Sequence, residues 1–225
     1  MIMKRGVEVA LTIGLFGVSA CSGRTEDRLP APVRAVVELT KTTRADYVVY
    51  NWNRIEQTGG PVEEWSAEFH SGTLHRVETP RDRWIADCAT GSGTGLSLAT
   101  GEKVVGSKVA LAACGVNTNK SFVASEWRGV VNTAFGPAQR IRLVDAHNVR
   151  TYDVMQDGAI VRTTYELVNG SPWSLTYAVA VEHEKPDPAM FDAASLARSY
   201  VPDRFKMAPA PKTSAGPAAE ARAGA

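Results

Sequence analysis

The chain has few of the residues from which metal centres are built. Its 225 residues include only four histidines and three cysteines. His70 and His75 flank a predicted turn, but no aspartate or glutamate stands at a recognisable ligand spacing from them. We therefore interpret the histidines as surface or partly buried residues, and we expect no metal and no cofactor.

Motifs of catalysis and nucleotide binding are also missing. The glycine-rich stretch 91–95 lacks the third glycine of a dinucleotide-binding loop, and no parallel β-α-β pattern surrounds it. Lys103 does not directly follow Gly101, as the lysine of a phosphate-binding loop would. The segment around Ser97 ends in Ala99, where a nucleophile elbow has glycine. These departures predict a protein that is not an enzyme.

Neither sign of charge dominates the composition. The net charge is +1, which gives no broad attraction to nucleic acid, so we expect no nucleic-acid partner. The 44% of hydrophobic and 22% of charged residues are typical of a soluble globular domain. No apolar run reaches the ~20 residues that a membrane-spanning helix needs.

One apolar run is nevertheless present, close to the amino terminus. A basic start precedes the mostly apolar residues 7–18, and Val18-Ser19-Ala20-Cys21 follows, which is the order of an export signal. The cysteine after small residues resembles the lipobox of bacterial lipoproteins, although Val18 stands where that family usually has leucine. The alternative is an ordinary secretory signal with an unrelated cysteine near its end.

The lipobox resemblance implies a signal peptide at residues 1–20 and lipidation of Cys21, with acyl chains such as palmitate holding the protein to a membrane. Ser22 follows, where an aspartate would keep many family members at the inner membrane. The resemblance therefore implies an outer-membrane anchor facing the periplasm, in a Gram-negative organism. The polar residues 21–32 predict a flexible tether. The Ala- and Pro-rich residues 207–225 predict a disordered tail.

The two remaining cysteines predict a disulfide. Cys88 and Cys114 form an even pair in a chain that is predicted to be exported, and such pairs are more often bridged than free. Closing a loop of this size stabilises a fold by about 3–4 kcal/mol on the chain-entropy model. Two unrelated buried thiols are the alternative.

Residues 33–206 predict a single β-rich domain. Apolar residues at helical spacing predict a helix over 33–43, and alternating aromatic and β-branched residues predict strands from Tyr47 onward. Asp157-Gly158 between two such runs predicts a tight hairpin. The pattern indicates a mainly β (α+β) fold, with about eight antiparallel strands in a curved sheet or incomplete β-barrel.

Two further helices are predicted within this domain. Residues 104–113 have apolar residues at helical spacing but also include β-branched residues, as in a strand. We choose the helix, which predicts a helical insertion that the disulfide would tie to the preceding strand. Residues 191–200 predict a short final helix, with Asp192 as its cap.

Aromatic and large aliphatic residues concentrate on the predicted strands. In the last strand, alternation places five of them on one face: Trp173, Leu175, Tyr177, Val179 and Val181. For any single residue, filling the core is the simpler interpretation. Together they exceed what few helices can cover, which predicts a concave apolar surface for a hydrophobic guest. The predicted lining residues are Trp65, Phe69, Trp173, Leu175 and Tyr177.

A lipoprotein with a leading helix, aromatic-bearing antiparallel strands and a helical insertion resembles the LolA/LolB/RseB group. That group has an incomplete β-barrel with helices on its apolar concave side, and its members carry or sense acyl chains and lipoproteins. The resemblance covers residues 33–184, rests on pattern alone and transfers no functional residue. It implies a membrane-anchored envelope protein whose guest is an acyl chain or the lipid of a lipoprotein. The alternative is a non-catalytic interaction module without a small-molecule ligand, and the oligomeric state stays open.

Overall fold

The computed structural model describes residues 28–208. The predicted signal peptide (1–20), the lipidation site Cys21 and nearly all of the predicted tail (207–225) therefore lie outside the described residues. Within residues 28–208, no helix is long and apolar enough to cross a membrane.

The described chain forms one antiparallel sheet of eleven strands and two α-helices. In chain order the elements are α1 (Ala31–Thr42), β1 (Tyr47–Ile55), β2 (Val62–Ser71), β3 (Leu74–Glu78), β4 (Asp82–Asp87), β5 (Ser92–Ser97), β6 (Lys103–Val105), α2 (Ser107–Ala113), β7 (Ala124–Thr133), β8 (Gly136–Val144), β9 (Asn148–Met155), β10 (Ile160–Leu167) and β11 (Pro172–Glu182). Three 3-10 turns follow, at Pro188–Phe191, Ala193–Ala197 and Asp203–Phe205. The strand order is β6-β5-β4-β3-β2-β1-β11-β10-β9-β8-β7, so the sheet is not closed.

The predicted class is confirmed, but the predicted number of about eight strands is too low. Part of the difference is β5, which lies in a glycine-rich stretch that resembles a loop. A Cβ atom on Gly93 would lie 2.6 Å from the carbonyl oxygen of Ile85, and one on Gly95 would lie 2.6 Å from the indole of Trp84. Glycine is therefore required by close packing on β4 rather than by a turn.

The two predicted helix boundaries differ from the observed ones. β6 takes the start of the segment 104–113, so the helical insertion is only Ser107–Ala113. α1 begins at Ala31, inside the segment predicted to be a tether, because proline is tolerated in the first turn of a helix. Leu29 is buried in the same cluster as Val33, so residues before position 33 also pack against the domain.

The two helices cover one face of the sheet, which we call the helix face. The valines of α1 (Val33, Val36 and Val37) pack with Ile141 and Leu143 of β8. At the other end of the sheet, α2 packs against β4 and β5. These contacts bury the apolar side of each helix.

Residues 188–205 return over the opposite face near β1–β5. We call this segment the strap, and the face that it covers the strap face. Its Met190, Phe191 and Leu196 pack with Tyr50 and Phe69 of the sheet. The predicted final helix is wrong, because the segment forms 3-10 turns instead, although Asp192 does cap one of them by accepting a hydrogen bond from the Ala194 amide.

Antiparallel pairing gathers the strand ends at two rims. β1, β3, β5, β8 and β10 end at one rim, where the neighbouring strands begin. The chain enters α1 at this rim, because residues 28–30 line a hollow together with residues 121–125 at the start of β7. We call it the tether rim. α1 ends at the opposite rim, where the Thr43 hydroxyl donates to the Asp157 carbonyl at 2.7 Å.

Candidate functional site

The five residues predicted to line a guest site are not gathered at one cavity. Trp52 of β1 stands opposite Trp65 of β2 and opposite Tyr177 of β11, so these three rings share the strap face. Phe69 is buried beneath the strap, and Trp65 packs beside the same cluster. Phe69 is therefore part of the core, whereas Trp65 and Tyr177 lie at its partly exposed margin.

Leu175 and Trp173 lie farther toward the tether rim. Leu175 lines an open hollow of about 370 Å³, but charged residues such as Arg54, Arg162 and Glu166 line it too. Trp173 is 47% exposed and meets the ring of Tyr165 edge-on, with 6.2 Å between the ring centroids. Neither residue faces an enclosed apolar space.

The uninterrupted apolar stripe predicted for β11 is wrong at its carboxyl end. Trp52 pairs with Tyr177 and Val49 pairs with Val181, and the register between β1 and β11 shifts between Tyr50 and Asn51. The shift adds one residue to β11, as in a β-bulge. Tyr177 therefore points to the strap face, and Val181 points to the helix face.

The strap closes the part of the strap face around Phe69. Two fully buried side chains fix it: the Arg76 guanidinium donates to the carbonyls of Met190 at 2.6 Å and of Arg198 at 2.7 Å. Glu78 accepts from Arg76 at 2.8 Å and from the Ser199 hydroxyl at 2.7 Å. Burial lowers the pKa of Arg76, and the Glu78 charge opposes that shift.

An apolar hollow lies elsewhere, on the helix face between the end of α1 and α2. Its volume is about 220 Å³, and we call it the helix cleft. Its wall is mostly apolar, but it also includes the Lys41 ammonium, which donates to the Thr118 hydroxyl at 2.7 Å. It is lined by Lys41, Cys88, Gly91, Ser107, Ala110, Leu111, Cys114, Val116, Asn117 and Thr118.

A disulfide forms part of the cleft wall. The predicted bridge between Cys88 and Cys114 is confirmed, with 5.6 Å between the two Cα atoms. It joins the end of β4 to the end of α2, and Ala110 packs in the same buried cluster. The α2 side of the cleft is therefore fixed to the sheet both covalently and by packing.

The helix face under β1–β3 is polar instead of apolar. Asn51 and His75 are buried, and their side chains have no hydrogen-bond partner in the part of the chain that the structure describes. Nε2 of His75 lies 3.5 Å from a carboxylate oxygen of Glu68. The His70 ring stacks on Tyr47, and burial, followed by the neighbouring His75, lowers the pKa of His70. This region does not supply an apolar lining for a guest.

Histidine, cysteine, aspartate and glutamate do not form a group of three or more that could hold a metal ion within residues 28–208. That the protein has no cofactor, metal or catalytic activity stays a prediction. The helix cleft was not predicted from the sequence, because its walls come from α1, α2 and the residues after α2. Of the residues that line the helix cleft, only the disulfide pair was predicted from the sequence to be in contact.

Comparison with known proteins finds structures of similar fold but does not assign the chain to a family. No family model and no curated protein matches the chain. A chain of the Pseudomonas aeruginosa MucA/MucB complex is 9% identical over 75% of this chain, with a TM-score of 0.54, and this chain spans 60% of its length. An uncharacterized conserved protein from Thermus thermophilus is 14% identical over 75% of this chain and 92% of its own, with a TM-score of 0.49.

A LolA superfamily protein from Nitrosomonas europaea, NE2245, is 6% identical over 73% of this chain and 99% of its own, with a TM-score of 0.37. The similarity to the MucA/MucB chain is the one of these three with a TM-score above 0.5, and it shows a shared fold. At these identities, the similarity concerns fold alone.

Proposed function

We propose that this chain is a lipid-anchored envelope protein that binds an apolar guest in the helix cleft. The guest is an acyl chain or the lipid of another lipoprotein. The observation that carries the proposal is the cleft itself, whose walls are mostly apolar and are held by a disulfide, with Lys41 as the one charged side chain among the described residues that line it. The anchor is Cys21, on the strength of the lipobox resemblance, and it places the domain at the outer membrane facing the periplasm.

The size of the cleft fits part of a guest. Pockets that enclose a drug-sized ligand usually have volumes of roughly 300–1,000 Å³, and the helix cleft has about 220 Å³. It would therefore take the end of an acyl chain. Each buried methylene contributes ~0.8 kcal/mol, and the cost of association offsets much of the sum. The expected binding is weak and reversible, which suits a carrier or a sensor.

The strap face is a weaker location for the guest. Trp65, Leu175 and Tyr177 lie on this face, with Phe69 in the core beside them, but the neighbouring hollow is lined by charged groups, and Trp173 contacts Tyr165 instead. A guest on this face would leave those charges partly desolvated, which is costly. We therefore prefer the helix cleft to the residues that the sequence indicated.

Substitutions of residues that line the helix cleft test whether the guest binds there. Leu111 lines the cleft, and Val104 is an exposed apolar residue that does not, so Leu111→Ser and Val104→Ser form a matched pair. Ser107→Trp adds bulk at the cleft wall. We expect Leu111→Ser and Ser107→Trp to weaken binding of a fluorescent fatty acid at least fivefold, and Val104→Ser to leave it unchanged. Equal binding by all three variants would contradict the cleft as the site.

The second candidate function is a protein-binding module without a small-molecule ligand. Two observations favour it. β6 and β7 are the edge strands of the sheet and carry exposed valines. The similar Pseudomonas aeruginosa structure is a complex of MucA and MucB. Native mass spectrometry of protein purified from an envelope fraction separates the two functions. Bound lipid supports the guest; an empty protein that crosslinks in cells to one dominant partner supports the module.

The anchor has its own test. Several acyl chains on Cys21 would give stable attachment, whereas a single chain holds a protein only marginally. Cys21→Ser is expected to release the protein from the membrane fraction or to leave the precursor uncleaved. A variant that is still processed and still membrane-bound would contradict lipidation at this residue.

A further inference from the structure

Exposed apolar side chains collect at the tether rim. Six of the large apolar residues that are exposed among residues 28–208 lie in or beside its turns: Val62, Leu98, Val123, Leu167, Val168 and Trp173. Val123 is 72% exposed and Val168 is 57% exposed. The hairpin turns of the opposite rim, between β2 and β3, β4 and β5, β7 and β8, and β9 and β10, carry none of the residues in that exposed set, although Val105, 76% exposed, ends the edge strand β6 on that side.

This asymmetry is not required by packing. Turn tips normally carry glycine, proline and short polar residues, and a clustered apolar surface marks an interaction site more often than a single exposed residue does. The turns of the tether rim are also held to each other. The Val168 amide donates to the His147 carbonyl at 3.1 Å, and the Val123 amide donates to the Val144 carbonyl at 2.8 Å. The apolar side chains therefore project from an ordered rim.

The chain reaches the domain at this same rim. Residues 28–30 line a hollow together with residues 121–125, which include the exposed Val123. Cys21 is seven residues before Arg28 in the sequence, and seven extended residues span at most about 25 Å. An anchor on Cys21 would therefore hold the tether rim, and not the opposite one, near the bilayer.

We propose that the tether rim docks on the surface of the bilayer, with Trp173 and the turn around Val168 entering the headgroup region. This docking deepens the proposed function and rests on its anchor at Cys21. Tryptophan is enriched at membrane–water interfaces because its ring is apolar and its N–H is polar. Docking of the tether rim would hold the anchored domain in one orientation on the membrane, whereas the anchor alone would let it rotate freely.

The charges of the rim indicate that the docking does not need anionic lipid. The rim carries no excess of cations: its charged residues are Arg28, Arg81 and Lys103 against Glu56, Asp82, Glu102 and Asp145. A patch that bound through charge would need an excess of lysine and arginine. We therefore expect docking on phosphatidylcholine alone, with little dependence on salt.

The experiment uses the lipidated protein reconstituted into vesicles of phosphatidylcholine that carries bromine on its acyl chains, which quenches nearby tryptophan. Trp173 and Trp127 are both 47% exposed, but Trp127 lies three residues inside β7, roughly 10 Å from its rim end. Trp173→Ser and Trp127→Ser are therefore matched variants. We expect Trp173→Ser to lower the quenched fraction of the fluorescence at least twofold and Trp127→Ser to leave it unchanged.

Three results would overturn the proposal. If the protein stays on the vesicles but Trp173 is not quenched, the rim does not dock, although the anchor holds. If the two tryptophans are quenched equally, the domain has no preferred orientation. If the protein does not remain on the vesicles, the anchor fails together with the docking that depends on it. Unchanged thermal melting of both variants excludes unfolding as the cause of a fluorescence change.

Discussion

At one end of the sheet, α1 covers β8 and β9; at the other end, the strap covers β2–β5 on the opposite face. α1 hydrogen-bonds its own backbone, so its contact with the sheet consists of apolar side chains such as Val37 and Leu143. The strap contains only 3-10 turns and has carbonyl groups that must find donors in the sheet. Arg76 donates to three of them and Arg83 donates to the Leu196 carbonyl.

Buried charges occur at both ends, since Arg150 pairs with Asp145 at 3.0 Å at the α1 end. At the strap end, however, the buried arginines donate to carbonyls of the segment that covers the sheet. A guanidinium carries five N–H donors, so a single arginine can satisfy several carbonyls of an irregular segment. Glu78 then balances the buried positive charge. A helix that covers a sheet needs apolar side chains from the sheet, whereas an irregular segment also needs hydrogen-bond donors from it.

Removal of Arg76 should break the strap end most severely. Arg76→Met would leave Glu78 buried without its main ionic partner and would leave strap carbonyls without donors. Breaking a buried ion pair from one side costs about 3–5 kcal/mol. Urea unfolding would measure this loss in the free energy of unfolding. Arg54→Met is the control, because Arg54 pairs with Glu56 at the surface. An equal effect of the two substitutions would contradict the role of Arg76.

Loss of the disulfide tests the covalent hold on α2, which lies at the strap end but on the helix face. Cys88 and Cys114 are 26 residues apart in the sequence. Replacing both by serine should lower the free energy of unfolding by about 3–4 kcal/mol on the chain-entropy model. Calorimetry of this variant and of the wild type would give the difference. Unchanged stability would mean that packing alone holds α2.

Truncation of Leu143 tests the apolar end. Leu143→Ala removes a buried side chain from the cluster under α1 and should cost about 2–4 kcal/mol, since the cavity collapses only partly. Hydrogen exchange should show that α1 loses protection while the strap amides keep theirs. Val130→Ala, at an exposed position of β7, is the control and should have no measurable effect. Equal loss of protection in the strap would show that the two ends are not independent.

Acid should weaken the strap end slightly through His70. Burial lowers the pKa of His70 in the folded chain, so the unfolded chain binds the proton more readily. The stabilising contribution is complete above the unfolded pKa of about 6.5 and decreases as the pH falls below it. His70→Asn should reduce the difference in unfolding free energy between pH 7.5 and pH 5.5. Identical differences in the variant and the wild type would exclude His70 as the cause.

Local patterns predicted the regular parts of this fold. Alternation predicted β1, and Asp157-Gly158 predicted a hairpin that the structure contains between β9 and β10, with a positive φ at Gly158. Cysteine pairing in an exported chain predicted the disulfide. Each of these signals depends on residues that are close in sequence or on a general rule about compartments.

Long-range contacts explain what the sequence did not predict. Gly93 and Gly95 resemble a loop until the backbone of Ile85 and the ring of Trp84 are placed against them. The bulge in β11 depends on the register with β1, which no single strand specifies. The helix cleft similarly combines segments that are far apart in the chain. The predicted guest residues were identified by alternation, and alternation alone does not show that the strap covers Phe69.

The strap also has a consequence for biogenesis. It is synthesised after the whole sheet, so every shorter nascent chain exposes Phe69 and Tyr50 and leaves Arg76 without the strap carbonyls to which it donates. Exposed apolar surface of this kind attracts chaperones and proteases. A chain that stops before residue 188 would thus expose an apolar surface that quality-control proteins recognise, and the completed strap would cover that surface.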